Sequence, residues 1–96
     1  MFVWVIYDIS NDKTRRDVIK ECMDMGLYRV QKSIFFGNIE EPDVKLLNLI
    51  FENITNLQED SIYIFPMGKR ELNNADFMGN SFKKDLVIDE CSCVIF

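Results

Sequence analysis

Residues 1–12 read Met1-Phe2-Val3-Trp4-Val5-Ile6-Tyr7-Asp8-Ile9-Ser10-Asn11-Asp12. The apolar run from Phe2 to Tyr7 is rich in β-branched and aromatic residues and too short for a buried helix, so it reads as a strand covered on both faces. Asp8 ends the run abruptly, where a central strand leaves its sheet. In open α/β sheets ligands bind outside the carboxyl ends of strands, which makes Asp8 the first candidate for chemistry. The following segment carries Lys13, Arg15 and Arg16, side chains able to meet phosphate. The plain alternative for Asp8 is a strand-end cap or an ion pair with Arg15.

Downstream, Asp12 to Met25 reads as a helix capped by Ser10 or Asn11 and stopped by Gly26, with Val18, Ile19, Cys22 and Met23 on one face. Arg15 lies on the inward side, one turn ahead of Val18 and Ile19, facing the exit of the first strand. Arg16 and Lys20 share a more exposed face. Tyr28 to Ile39 is either one bent strand or two short strands turning near Lys32-Ser33, and the second reading is preferred. Pro42 suits the first turn of a second helix whose apolar face is Val44, Leu47, Ile50, Phe51 and Ile54. Ser61 to Phe65 is the next strand, ending at Pro66.

The order β-α-β-β-α-β predicts an α+β, ferredoxin-like fold: an antiparallel sheet with both helices on one face. The other face of such a sheet is left bare, yet the first and fourth strands are apolar on both faces, so a sheet-to-sheet homodimer is expected. Residues 1–67 form the ferredoxin-like domain. Residues 67 to 84 read as a long loop, and 86–88 with 93–96 supply an extra carboxy-terminal strand. The 68–96 segment is expected to pack on the dimer partner, adding a strand to its sheet edge.

Composition narrows the chemistry. Ninety-six residues make one domain, without low-complexity tract or internal repeat. No segment approaches the ~20 apolar residues of a membrane span, and the amino-terminal run lacks the basic flank of a leader, so a soluble cytoplasmic protein without membrane partner is expected. There is no histidine, which removes histidine general bases, Cys-His nucleophiles and most zinc sites. The three cysteines are odd in number, and Cys91 and Cys93 are spaced unlike a zinc or redox pair, so reduced packing thiols are expected. The net charge is −5, but its acidic surplus lies beyond residue 36, which leaves room for a local basic stripe in the first third.

The segments Tyr7-Asp8-Ile9-Ser10, Arg15-Arg16, Arg29-Val30-Gln31-Lys32-Ser33-Ile34-Phe35 with Gly37, and Asp60-Ser61-Ile62 to Pro66 together resemble the CRISPR-associated protein two (Cas-two) family over about residues 1 to 67. The resemblance implies a ferredoxin-like homodimer that works with the CRISPR integrase subunit in spacer acquisition. It also implies metal-dependent cleavage of single-stranded RNA or duplex DNA. By position Asp8 matches the family's metal-binding aspartate, while Tyr7, Arg15, Arg29 and Phe35 match residues implicated around it. Mg²⁺, or Mn²⁺ in its place, is the expected ion, because such hard cations use oxygen ligands and often only one or two carboxylates.

Asp8 is thus the candidate catalytic and metal-binding residue. Arg15, Arg16, Arg29, Lys32 and Ser33 are candidate nucleic-acid contacts, and Tyr7, Ser10 and Phe35 are supporting residues. The arginines also read as solvated surface charges, and Tyr7 and Phe35 as core residues rather than stacking platforms. One carboxylate per chain is a thin catalytic outfit. A non-catalytic DNA-scaffolding dimer therefore competes with the nuclease reading, and a toxin-like ribonuclease of the same fold remains an alternative.

Overall fold

The amino-terminal apolar run is a central strand, β1 (Phe2–Asp8), in the computed structural model, which describes residues 1–79. It is followed by α1 (Asp12–Asp24), β2 (Tyr28–Gln31), β3 (Ile34–Asn38), α2 (Glu41–Ile54), β4 (Ser61–Met67) and α3 (Lys69–Asn74). The four strands form one sheet in the order β2-β3-β1-β4, with every neighbouring pair antiparallel. This is the expected ferredoxin-like α+β arrangement. In β1, Ile6 lies between Ile34 and Tyr63, and Trp4 between Phe36 and Phe65.

Local chemistry places the helices. Of the two expected caps it is Asn11 that acts, its Oδ1 accepting the Thr14 backbone N–H at 2.9 Å, an interaction worth about 1 kcal/mol. Gly26, at φ 85°, turns the chain out of α1 in a conformation that costs other residues a steric penalty. Pro42 occupies the first turn of α2, where its missing N–H has no helical acceptor to lose. Alternation along β1 sends Val3, Val5 and Tyr7 to one face, where Val18, Cys22, Leu47, Phe51 and Phe35 close over them. Both helices therefore cover the same side of the sheet.

Burial pushes the Cys22 thiol up from 9.0 to about 12. The folded chain holds that proton more tightly than the unfolded one, so the stabilisation is complete below pH 9 and is lost as pH rises toward 12. Unfolding free energy should fall across that window and fall less steeply in Cys22→Ala, which urea titrations at several pH values would measure.

The structure departs from the sequence reading at Met23, which is exposed rather than on the covered face of α1, and in two places at and after β4. β4 does not stop before Pro66 but continues through it to Met67, opposite Val3 and Phe2. This is possible because β4 is an edge strand, where a proline need not donate to a neighbour. The stretch expected to be loop begins with α3, which buries Leu72 to 1% exposure against Phe2, Val30 and Phe36, with Trp4, Ile34, Met67 and Phe77 packed around them. The second face of the sheet is therefore covered in part by the chain itself. What stays open of it is the part toward β4, where Tyr63 and Phe65 are exposed. The strand expected within residues 86–96, and its pairing with another subunit, lie outside the described residues.

Candidate nucleic-acid and metal site

Three chain segments meet at the exit of β1. Asp8 is the last residue of the strand and pairs across the sheet with Ser61. The β1–α1 connection, Ile9 to Asn11, leaves from it. The β2–β3 turn, Lys32-Ser33, abuts Tyr7: the Tyr7 N–H donates to the Ser33 carbonyl at 3.1 Å, and the Tyr7 hydroxyl donates to the Lys32 carbonyl.

The sheet divides these residues between its faces. Asp8 follows Phe2, Trp4 and Ile6 onto the face opposite α1 and α2, and it is exposed. Among the described residues no hydrogen bond or ion pair engages its carboxylate. Four other aspartates are committed. Asp12 pairs with Arg15, Asp17 with Lys13 and Asp24 with Lys20. Asp60, just beyond Ser61, is buried and accepts the Asn56 N–H at 2.9 Å. No group of three or more carboxylate or cysteine ligands suited to a metal occurs among the described residues. Asp8 is thus a single, unengaged donor at the rim of an open face.

Tyr7, Arg15, Arg29 and Phe35 gather on the helical side of the same sheet end. Phe35 is fully buried, 6.4 Å from the Tyr7 ring, with the Arg29 guanidinium 5.9 Å above its face. It packs rather than offering a platform for bases. Burial raises the Tyr7 phenol above its usual pKa, although the nearby Arg29 charge opposes this. The hydroxyl accordingly stays a donor at working pH. Arg15 points at the β1 exit as expected, but its partners are the Ile9 carbonyl, at 3.1 Å, and the Asp12 carboxylate; it does not pair with Asp8.

The remaining cations differ in availability. Lys13 and Lys20 are neutralised within α1. Arg16 and Lys32 are exposed and form no ion pair among the described residues. Arg29 spends one N–H on the Lys32 carbonyl at 2.9 Å and keeps its charge. Ser33 and Ser10 flank Asp8 on the turn and on the β1–α1 connection, and Ser10 takes no part in capping. The burial of Cys22 removes that thiol from any nucleophilic role at neutral pH.

The expected apolar face of the fourth strand is seen at two residues. Tyr63 and Phe65 stand 54% and 49% exposed on the open face, stacked with ring centroids 6.2 Å apart, directly across β4 from Ile6 and Trp4. Their alternation within an apolar strand was visible, but only the sheet order shows that nothing in the described chain covers them.

The family model for "CRISPR associated protein Cas2" matches residues 1–75. The chain belongs to the Cas2 family. The CRISPR-associated endoribonuclease Cas2 of Desulforudis audaxviator is 38% identical over 68 residues, covering 71% of this chain but only 64% of that relative. The protein of the same name from Korarchaeum cryptofilum is 34% identical over 70 residues, 73% of this chain and 75% of its own length. The crystal structure of Streptococcus pyogenes Cas2 at pH 6.5 superposes with a TM-score of 0.70 at 28% identity, covering 82% of this chain and all of that one. The matched region contains β1 through α3, so Asp8, both basic segments and the aromatic pair of β4 all lie inside the Cas2 match. No helix among the described residues is long and apolar enough to cross a membrane.

Proposed function

We propose that this chain is a homodimeric, nucleic-acid-binding subunit of CRISPR spacer acquisition that works in the cytoplasm with the integrase subunit, and that Asp8 supports Mg²⁺-assisted phosphodiester hydrolysis of RNA or duplex DNA. The observation that carries the reading is the Asp8 carboxylate, exposed and unpartnered at a strand exit where Asp12 and Asp60 close by are both engaged. The endoribonuclease names of the relatives point the same way.

A lone carboxylate suits Mg²⁺ better than a cage-forming ion, since Mg²⁺ keeps several waters and takes one or two carboxylates. Two subunits meeting through their open faces would bring both copies of Asp8 to one interface. Mg²⁺ or Mn²⁺, when bound there, supplies a Lewis acid and acidifies a water. The chain's own residues do the rest. Arg16, Arg29 and Lys32 hold backbone phosphates without reading bases, and Ser33 adds a hydroxyl donor. Arg15, tied to Ile9 and Asp12, chiefly fixes the β1–α1 connection. The single carboxylate also favours a second reading, a scaffold that presents duplex DNA to the integrase and cleaves nothing.

The deciding experiment is cleavage of RNA and duplex DNA with and without chelator, with Asp8→Ala as control, beside binding measured across salt concentrations. The nuclease reading expects chelator-sensitive cleavage that Asp8→Ala loses. Binding to duplex and integrase without cleavage under any metal condition selects the scaffold. Arg16→Ala and Lys32→Ala should each flatten the slope of log affinity against log salt by about 0.9 on duplex and about 0.7 on single strands. Unchanged slopes in both would make these cations ordinary surface.

A further inference from the structure

We infer that Tyr7 is a positioning residue: through the Lys32 carbonyl it anchors the β2–β3 turn so that Lys32 meets a nucleic-acid phosphate beside Asp8. The inference rests on the reading above that this turn is a phosphate contact. The Lys32 carbonyl accepts the Tyr7 hydroxyl and Arg29 Nη2 together, which uses both of its lone pairs. The Tyr7 backbone N–H holds the next carbonyl, that of Ser33. Residue 7 therefore grips the turn with main chain and side chain at once, and the next residue in sequence is Asp8.

Besides Arg29 on the same carbonyl, the turn is closed by the short pairing of Gln31 with Ile34. β2 is a four-residue edge strand whose register shifts between Arg29 and Gln31. Tyr7, by contrast, belongs to the core, 3% exposed and packed on Phe35. A position filled for packing alone has no need of a hydroxyl, which costs desolvation unless it is bonded. Here the bond is spent on the backbone that carries an exposed lysine. Holding that backbone in place reduces the freedom Lys32 must surrender when it meets a ligand.

The test compares wild type, Tyr7→Phe, Lys32→Ala and the double variant, with dissociation constants for single-stranded RNA and duplex DNA measured in EDTA so that cleavage does not enter. Tyr7→Phe should melt within a few degrees of wild type and bind about fivefold more weakly, the cost of one hydrogen bond. Its salt slope should not change, since no charge is removed. Lys32→Ala should bind more weakly with a shallower slope, and adding Tyr7→Phe to it should have little further effect, because both act through one side chain. Wild-type binding by Tyr7→Phe while Lys32→Ala is impaired, or fully multiplicative losses in the double variant, would overturn the inference alone. If Lys32→Ala is itself silent, the inference falls together with the reading of the turn as a contact. Should Phe at position 7 disturb the fold, Ser33→Gly, which loosens the same turn, is compared with Ser33→Ala, which removes only the hydroxyl; Ser33→Gly must then bind more weakly than Ser33→Ala, and equal affinities also overturn the inference.

Discussion

Asp8→Asn should reduce metal-dependent cleavage by about a hundredfold or more while leaving nucleic-acid binding intact or slightly tighter. Metal-assisted charge stabilisation is worth several kcal/mol, and each ~1.4 kcal/mol is a factor of ten in rate. Asparagine keeps the shape and one oxygen but loses the negative charge that a hard divalent ion needs. The fold should not suffer. Asp8 is exposed, and its carboxylate engages no group among the described residues, so no buried partner is stranded by the change. Loss of a negative charge at the β1 exit also favours an incoming polyanion. Cleavage rates with Mg²⁺ and Mn²⁺, affinities in EDTA and melting points would be measured on the same preparations. Undiminished cleavage would move the chemistry away from Asp8. Lost cleavage accompanied by a large drop in melting point would make Asp8 a structural residue instead.

What sequence could reveal here follows from the range of each interaction. β1 was readable because its apolar run is continuous and ends at a charge, and α1 and α2 because apolar side chains recur on one face over three turns or more. Helix α3 was not, since a six-residue helix with one buried side chain, Leu72, has no periodicity to detect between Gly68 and Asn73-Asn74. Pro66 reads as a strand terminus until the sheet order makes β4 an edge. The candidate site divides in the same way. Asp8 stands out as the acid at a strand exit, whereas the alternative of an ion pair between Asp8 and Arg15 gives way to the local i, i+3 pairing of Arg15 with Asp12, which helical geometry satisfies before any contact with β1. The grip on the Lys32 carbonyl lay beyond any composition argument, because its acceptor is backbone.

Phe65→Glu should convert a dimer to a monomer, raising the dimer dissociation constant by about a hundredfold or more, since a charge left in a desolvated interface costs several kcal/mol. The argument begins with what α3 leaves uncovered. Leu72 and Phe77 close over Phe2, Trp4 and Phe36, but across β4 the rings of Tyr63 and Phe65 remain about half exposed beside Ile6. Contiguous apolar surface of this kind marks an interface in a soluble protein. A twofold axis through this face makes the contact self-complementary, ring pair against ring pair, and closes the assembly at two subunits. Such an axis would put both copies of Asp8 along one seam, so the variant should lose cleavage and dimer together, whereas Asp8→Asn should lose cleavage alone. Sedimentation at micromolar concentration reads the first effect and the cleavage assay the second. A wild type that sediments only as an 11.3 kDa monomer would remove the shared site. A Phe65→Glu protein that stays dimeric would place the interface on another surface, and if it also cleaved normally, one Asp8 per active unit would suffice.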